Sequence, residues 1–541
     1  MGRMSVAVLG GGVGGLSAAH ELAERGFEVT VYERRAAFGG KARSVSVPGT
    51  GAGGRKDLPG EHGFRFFPGF YQHITDTMKR IPFGNGGTSC YDNLVEATRI
   101  LLARGGKADP LWTARFPETL DDFRTAFQAL FSNLDIPPDE VTYFVDRMLA
   151  FATSCEERQL SEFEDVPFFD FIHAAEKSEN YRKYLGQGFT RSLVAMRAED
   201  SSTRTVARIL LQLFYGILIP GRVFDRLLSG PTNDVWIDPW VRHLTERLGV
   251  KMVPDAEVTA IHVEGSRLRD VTAGGTEIQA DYYVSAMPVE IMQGLVTADI
   301  RNAAPSLSGL GMLRTEWMNG IQFYLKSDRP LAYGHTIYLD SNWALTSISQ
   351  RQFWTRYNLS EYGNGEVAGL LSVDISNWTA PGNFNGKPAV ACATREEVKE
   401  EVWAQMKWAL PEMNDVEIVD WFLDPDILLP NPTGIANLEP LLINHAGSMK
   451  FRPEAHTEIS NLFLASDYVR TYTDLATMEG ANEAARRATN AILAVSGVQA
   501  RPCELWEFFI PQAFQAAQRL DKIRFDLRLP NLLLVCDQAT G

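Results

Sequence analysis

Apolar residues first form a strand-type run, Ser5 to Leu9 (SVAVL), then take helical spacing from Leu16 to Arg25, then form a second strand-type run, Phe27 to Tyr32 (FEVTVY). A glycine-rich stretch separates the first run from the helix, so the order reads strand, tight turn, helix, strand. The most apolar window, Val206 to Pro220 (VARILLQLFYGILIP), contains Arg208 and Gln212 and stops at proline. It falls short of the roughly 20 residues that span a membrane and predicts a buried or interfacial helix. Strand patterns return at Val250 to Val263 and Tyr282 to Pro288, and an apolar strand ending at Asp467 precedes a long helix to about Leu493. Gly49 to Gly60 and Pro381 to Pro388 read as surface loops, and Arg501 to Gly541 as an amphipathic helical extension. No internal repeat interrupts this order.

The first turn carries chemistry. Gly10, Gly12 and Gly15 satisfy G-x-G-x-x-G: the first permits the turn, the second lets backbone approach a pyrophosphate, and the third seats the helix on the strand. Gly14 lies in the same helix start, whose amides would face phosphates. Glu33 ends the second strand, 18 residues past Gly15, where a carboxylate accepts hydrogen bonds from ribose hydroxyls, and Arg34 follows it. The pattern fits NAD and FAD equally, because both present an ADP half to this turn.

With 541 residues, at least two packed units are expected, and 45% hydrophobic with 22% charged residues is ordinary globular composition. The net charge of −15 gives no field to hold a polyanion, so nucleic acid is not expected as a partner. Cys90, Cys155, Cys392, Cys503 and Cys536 never form C-x-x-C, and the chain enters its first strand without a signal-type segment, which together fit a cytoplasmic location. The nine histidines show no metal-ligand spacing, so no metal is expected.

Three further segments carry a resemblance. Ala37-Phe38-Gly39-Gly40-Lys41-Ala42-Arg43-Ser44 resembles the second glycine-pair motif of FAD-dependent amine oxidases and carotenoid desaturases, with Lys41 in its basic position. Gly60-Glu61-His62-Gly63-Phe64-Arg65-Phe66-Phe67-Pro68-Gly69-Phe70-Tyr71 is similar to the flavin-facing segment of plant- and cyanobacterial-type phytoene and zeta-carotene desaturases, which points to Gly63, Phe64 and Arg65. Asn461 to Tyr468 and Leu475 to Ala481 resemble the C-terminal flavin signature, placing Asp467 along the ribityl chain and the helix start at Met478 and Glu479 towards the flavin ring. In that family the strand holding Val258 contacts the adenine end.

The resemblance implies an α/β fold: a Rossmann-type FAD-binding domain assembled from residues 1–75, 225–295 and 440–495, a mixed α+β substrate domain from 76–224 and 296–439, and the extension 496–541. It also implies hydride abstraction from a C–H bond of an apolar, isoprenoid or carotenoid-like substrate. A flavin amine oxidase and a flavin-dependent isomerase or cyclase are the alternatives. No second G-x-G-x-x-G follows a strand, so electrons are expected to leave to oxygen, a quinone or a redox protein rather than to a resident NAD. Phe123 to Phe131, Phe163 to Phe171 and Val206 to Ile219 are candidate walls of an apolar pocket, and peripheral membrane contact is expected only through a local apolar patch. One departure singles out a catalytic candidate. Asp474 stands four residues before Met478, where carotene desaturases tend to carry an aromatic, and with Arg65 it would form a polar pair near the flavin. The competing reading makes Asp474 a surface ion-pair partner and helix cap.

Overall fold

A computed structural model of the chain describes residues 3–105, 107–110, 121, 124, 128, 131, 134–188, 190–191, 196–219, 221–355, 357–428 and 436–534. Strand β1 (Ser5–Leu9), helix α1 (Val13–Glu24) and strand β2 (Glu28–Tyr32) form as the apolar pattern predicts. They belong to a five-stranded parallel sheet in the order Lys251–Val253, β2, β1, Tyr282–Ser285, Leu462–Leu464. Central strands of such a sheet are covered on both faces, and Val6, Val8, Leu9, Val284 and Leu464 are accordingly buried.

The long helix Met478–Ser496 packs on α1, and small residues set how closely it does so. A Cβ at Gly14 would lie 2.0 Å from the Ala465 carbonyl oxygen, and one at Gly15 would lie 1.9 Å from that of Gly10. Asn482 Nδ2 then reaches Ser17 Oγ of α1 at 2.7 Å. The nucleotide-type turn is thereby fastened to a strand and a helix from the far end of the chain.

A second, seven-stranded sheet runs Ile418–Leu423, Asn319–Leu325, Gly369–Ile375, Leu345–Ser349, Gly334–Tyr338, Arg99–Arg104, Lys107–Pro110. Its pairings are antiparallel except that between Gly334–Tyr338 and Arg99–Arg104. Every residue of Asn319–Leu325 is buried, and the polar ones are paired: Gln322 accepts the Glu61 N–H at 2.9 Å and donates to Ser372 Oγ at 2.7 Å. That bond ties the second sheet to the segment entering Gly63–Arg65. The strand Asp225–Leu228 pairs antiparallel with Leu94–Ala97.

The apolar window forms the helix Thr203–Leu218, largely buried, with Ser202 as its cap. Part of the expected loop Gly49 to Gly60 is instead a strand, because Leu58–Glu61 pairs with Ser44–Val47 and its four residues are buried. The extension folds as the helix Gln512–Asp526, held by buried Asp521, which accepts from Arg158 Nε and the Cys155 N–H, both at 2.9 Å. No described helix is long and apolar enough to cross a membrane.

Candidate active site

One deep cavity lies between the two sheets. Its nucleotide end is lined by Gly10, Gly12, Val13, Gly14, Glu33, Arg34 and Val258, its middle by Gly39, Gly40, Lys41, Asp467 and Met478, and its far end by Gly63, Phe64, Arg65, Phe66 and Phe70 together with side chains of the second sheet. All the cofactor-binding and catalytic candidates singled out from the sequence reach it except Gly15, Asp474 and Glu479. Gly15 acts behind the turn, by letting α1 approach Gly10.

The nucleotide end has room and donors for a pyrophosphate. No side chain caps α1 at Gly12, and its first turn carries no acid, so its leading amides are left for a ligand. Gly39 donates to the Gly11 carbonyl at 2.9 Å, and a Cβ at Gly40, where φ is +56°, would meet Gly12 Cα at 2.9 Å. Any side chain at Gly40 would therefore press on the G-x-G turn. Glu33 is buried, with one oxygen accepting the Gly11 N–H at 2.7 Å and the other the Arg35 N–H at 3.0 Å, which fixes its orientation beside the cavity. These features fit the ADP half of FAD.

Around the middle, the basic residues face acids from distant parts of the chain. Lys41 Nζ donates to Glu290 at 3.0 Å and to the Pro440 carbonyl. Arg34 and Arg35 reach Glu439 at 3.1 and 2.5 Å, and Arg43 reaches Asp426 at 3.0 Å. Burial would raise the Glu439 carboxyl, but Arg43, His62, Arg35 and Lys41 together hold it below its ordinary value. Glu439 and Asp426 carry no motif, and their part in the site is visible only once the chain is folded.

At the flavin-facing segment, Arg65 is pinned by backbone, donating to the carbonyls of Gly63 at 2.6 Å and Lys41 at 2.5 Å. Two carboxyls share its charge. Burial pushes Glu61 up to about 7 and Asp374 up to about 7, against the lowering effect of Arg65 on both. Glu61 also accepts from the Thr232 N–H at 3.0 Å and Thr232 Oγ1 at 2.9 Å.

The pairing of Asp474 with Arg65 expected from the sequence is corrected by the structure. Asp474 is buried away from the cavity lining at φ +46°, and it is neither a surface ion-pair partner nor a helix cap, since Thr477 caps Met478–Ser496. Its carboxylate takes Arg204 Nη1 at 2.5 Å, Thr205 Oγ1 at 3.0 Å and Arg452 Nη1, two guanidiniums that pull it into the protein. It ties together three distant parts of the chain. The Glu479 carboxylate likewise turns from the cavity, accepting the N–H groups of Gln72, His73 and Ile74 at 2.8 to 2.9 Å and so capping the helix His73–Lys79.

The apolar walls differ in part from expectation. Ile209 and Leu213 of the helix Thr203–Leu218 line the cavity. Phe163, Phe168 and Phe171 pack on one another and on Phe144 and Phe151 in the core instead. Phe123 and Phe127 lie outside the described residues.

Two measurements check this electrostatic reading. Asp474→Asn should lose about 3 kcal/mol of stability in chemical denaturation, because it leaves buried Arg452 without a carboxylate and buried Arg204 with Glu156 alone, while the folded protein keeps its flavin. Between about pH 4 and 7 the folded protein holds protons on Asp374 and Glu61 that the unfolded chain has lost, so these groups make stability fall as pH rises through that window. Asp374→Asn should remove roughly half of that fall in thermal melts.

Comparison with known proteins agrees with this geometry. Residues 13–493 match the flavin-containing amine oxidoreductase family. The zeta-carotene desaturase of Synechocystis sp. is 24% identical over 536 residues, spanning 91% of this chain and 97% of that protein. The carotenoid phi-ring synthase of Chlorobaculum tepidum is 45% identical over 78 residues, 14% of this chain and 11% of that protein. Among solved structures, cyclohexylamine oxidase from Brevibacterium oxydans superimposes with a TM-score of 0.63 at 14% identity, covering 92% of this chain and 100% of that one. Putrescine oxidase gives 0.60 at 14% identity, covering 91% and 99%. With its cradle for FAD and its oxidoreductase architecture, the chain belongs to the flavin-containing amine oxidoreductase family.

Proposed function

We propose that the protein is an FAD-dependent desaturase, removing hydrogen from adjacent carbons of a long apolar polyene of the carotenoid type. The observation that carries this reading is the continuity of the cavity: the glycine cradle and the flavin-facing segment open into a chamber walled by Phe66, Phe70, Ile209, Leu213 and Trp317. The full-length similarity to zeta-carotene desaturases and to a 15-cis-phytoene desaturase supports the same substrate class.

When bound, FAD supplies a two-electron acceptor for hydride. The chain's own residues do the rest. The leading amides of α1 and Gly12 would hold the pyrophosphate, Glu33 the adenosine ribose, and Asp467 the ribityl hydroxyls. The amino-terminal end of Met478–Ser496 would favour negative charge on the ring, and Arg65 with the Glu61 and Asp374 carboxyls would fix charge beside it. The apolar walls exclude water and hold the polyene. Peripheral membrane contact, the route by which such a substrate would arrive, is supported by exposed Leu520, Ile523, Leu527, Leu529 and Leu532 on and after the last long helix, with Arg519, Lys522, Arg524 and Arg528 among them. The electrons would then pass to oxygen, a quinone or a redox protein.

Anaerobic mixing of the FAD-loaded protein with zeta-carotene or 15-cis-phytoene in detergent tests the reading. Flavin absorbance should bleach, and the product should weigh two hydrogens less than the substrate. A bleached flavin with an amine and not with either polyene, or a product of unchanged mass, contradicts it.

A further inference from the structure

A second buried acid lies at the far end of the cavity, and unlike Asp474 it has no cation. Asp225 Oδ2 is 2.5 Å from His335 Nε2, with the two residues 1% and 5% exposed and both lining the cavity. Asp225 Oδ1 is buried with no hydrogen-bond partner among the described residues. A carboxylate only accepts, so Nε2 carries the hydrogen and the lone pair of the neutral ring sits on Nδ1, which makes no hydrogen bond among the described residues.

The surroundings are aromatic. The rings of Phe64, Phe66 and Phe224 stand edge-on to His335 with centroids at 5.6, 5.4 and 6.3 Å, and all three line the cavity. Phe64 and Phe66 flank Arg65, so this chamber adjoins the flavin-facing segment. His335 is placed by a close strand approach: a Cβ at Gly334 would lie 2.0 Å from the Arg99 carbonyl oxygen, and His335 is in register with Ile100 and Ile348. The charged groups that bear on the ring are Asp225 and Asp374, the latter itself facing Arg65. An anionic pair held in an apolar chamber without a cation is costly to bury, and it favours positive charge appearing beside it.

We propose that His335 is the proton acceptor of the dehydrogenation, with Asp225 as its positioning residue; this rests on the desaturase reading above. One carbon of the polyene would lose hydride, with both electrons of its C–H bond, to bound FAD while in the same step the neighbouring carbon gives its proton to His335 Nδ1 and the electron pair of that C–H bond becomes the new double bond. The positive charge that builds on the polyene during this step is stabilised by the aromatic rings and Asp225. The substrate would thereby lose two hydrogens and two electrons, the hydride being taken by bound FAD, and the imidazole would gain a proton that it returns to water. The imidazolium is held by Asp225 meanwhile.

The test compares wild type, His335→Gln and Asp225→Asn, all loaded with FAD, using zeta-carotene as probe. Flavin content and zeta-carotene affinity, read by fluorescence quenching, should stay within about twofold in His335→Gln, while anaerobic flavin bleaching slows about 100-fold or more. Bleaching by the wild type should rise with pH. The rise should vanish in His335→Gln and be displaced in Asp225→Asn. The proposal is overturned if His335→Gln bleaches within about threefold of wild type with the same pH dependence, or if its loss is explained by lost flavin or lost carotene affinity. Wild type that zeta-carotene fails to bleach overturns the desaturase reading itself, and the role of His335 with it.

Discussion

The nucleotide cradle depends on a contact that only a missing side chain permits. At Gly14 the backbone of α1 touches the Ala465 carbonyl so tightly that a Cβ would sit 2.0 Å from its oxygen. This contact joins the first turn to the strand and helix that end the parallel sheet, and it decides where Asp467 and Met478 lie relative to Gly10 and Gly12. Everything that the nucleotide cradle does depends on that closure, because the middle and far ends of the cavity are walled by residues brought in behind it.

Charge is then used in two opposite ways. Around Asp474, and between Arg35, Arg43, Asp426 and Glu439, opposite charges from distant segments meet in buried or half-buried pairs and hold the chain closed. At the cavity wall the acids are less fully matched: Asp374 shares Arg65 with Glu61, which lies behind the lining, and Asp225 has only the imidazole of His335. Both oxygens of the fastening acid Asp474 accept hydrogen bonds, whereas Asp225 Oδ1 and Asp374 Oδ1, on acids that border the chamber, have no partner among the described residues. That distinction separates structural acids from those available for chemistry more reliably than the nearness of an acid to a motif.

Local patterns made the cofactor half of the fold legible. Gly10, Gly12, Gly15 and Glu33 form a unit within a short stretch, and the strand and helix around them follow from apolar spacing alone. The segments at 37–44, 60–71 and 461–481 were found by resemblance, and the cavity brings most of their marked residues together. What sequence could not give is pairing across long separations. Asp225 and His335 are 110 residues apart, Asp474 and Arg204 are 270, and neither pair shares a motif. Glu479 sat in the right motif but serves the neighbouring helix, since a carboxylate in a first turn caps whichever amides lie nearest. The strand at Leu58–Glu61 was hidden by glycines and a proline that suit a loop equally well, and it forms because its partner Ser44–Val47 is in register.

The central claim is that segments from the start, the middle and the end of the chain close around one FAD. Denaturing the purified protein and quantifying what is released measures this directly. The account predicts one equivalent of FAD per chain, lost when Gly14 is replaced by valine. A protein that releases none, and takes up none on incubation with FAD, would contradict it.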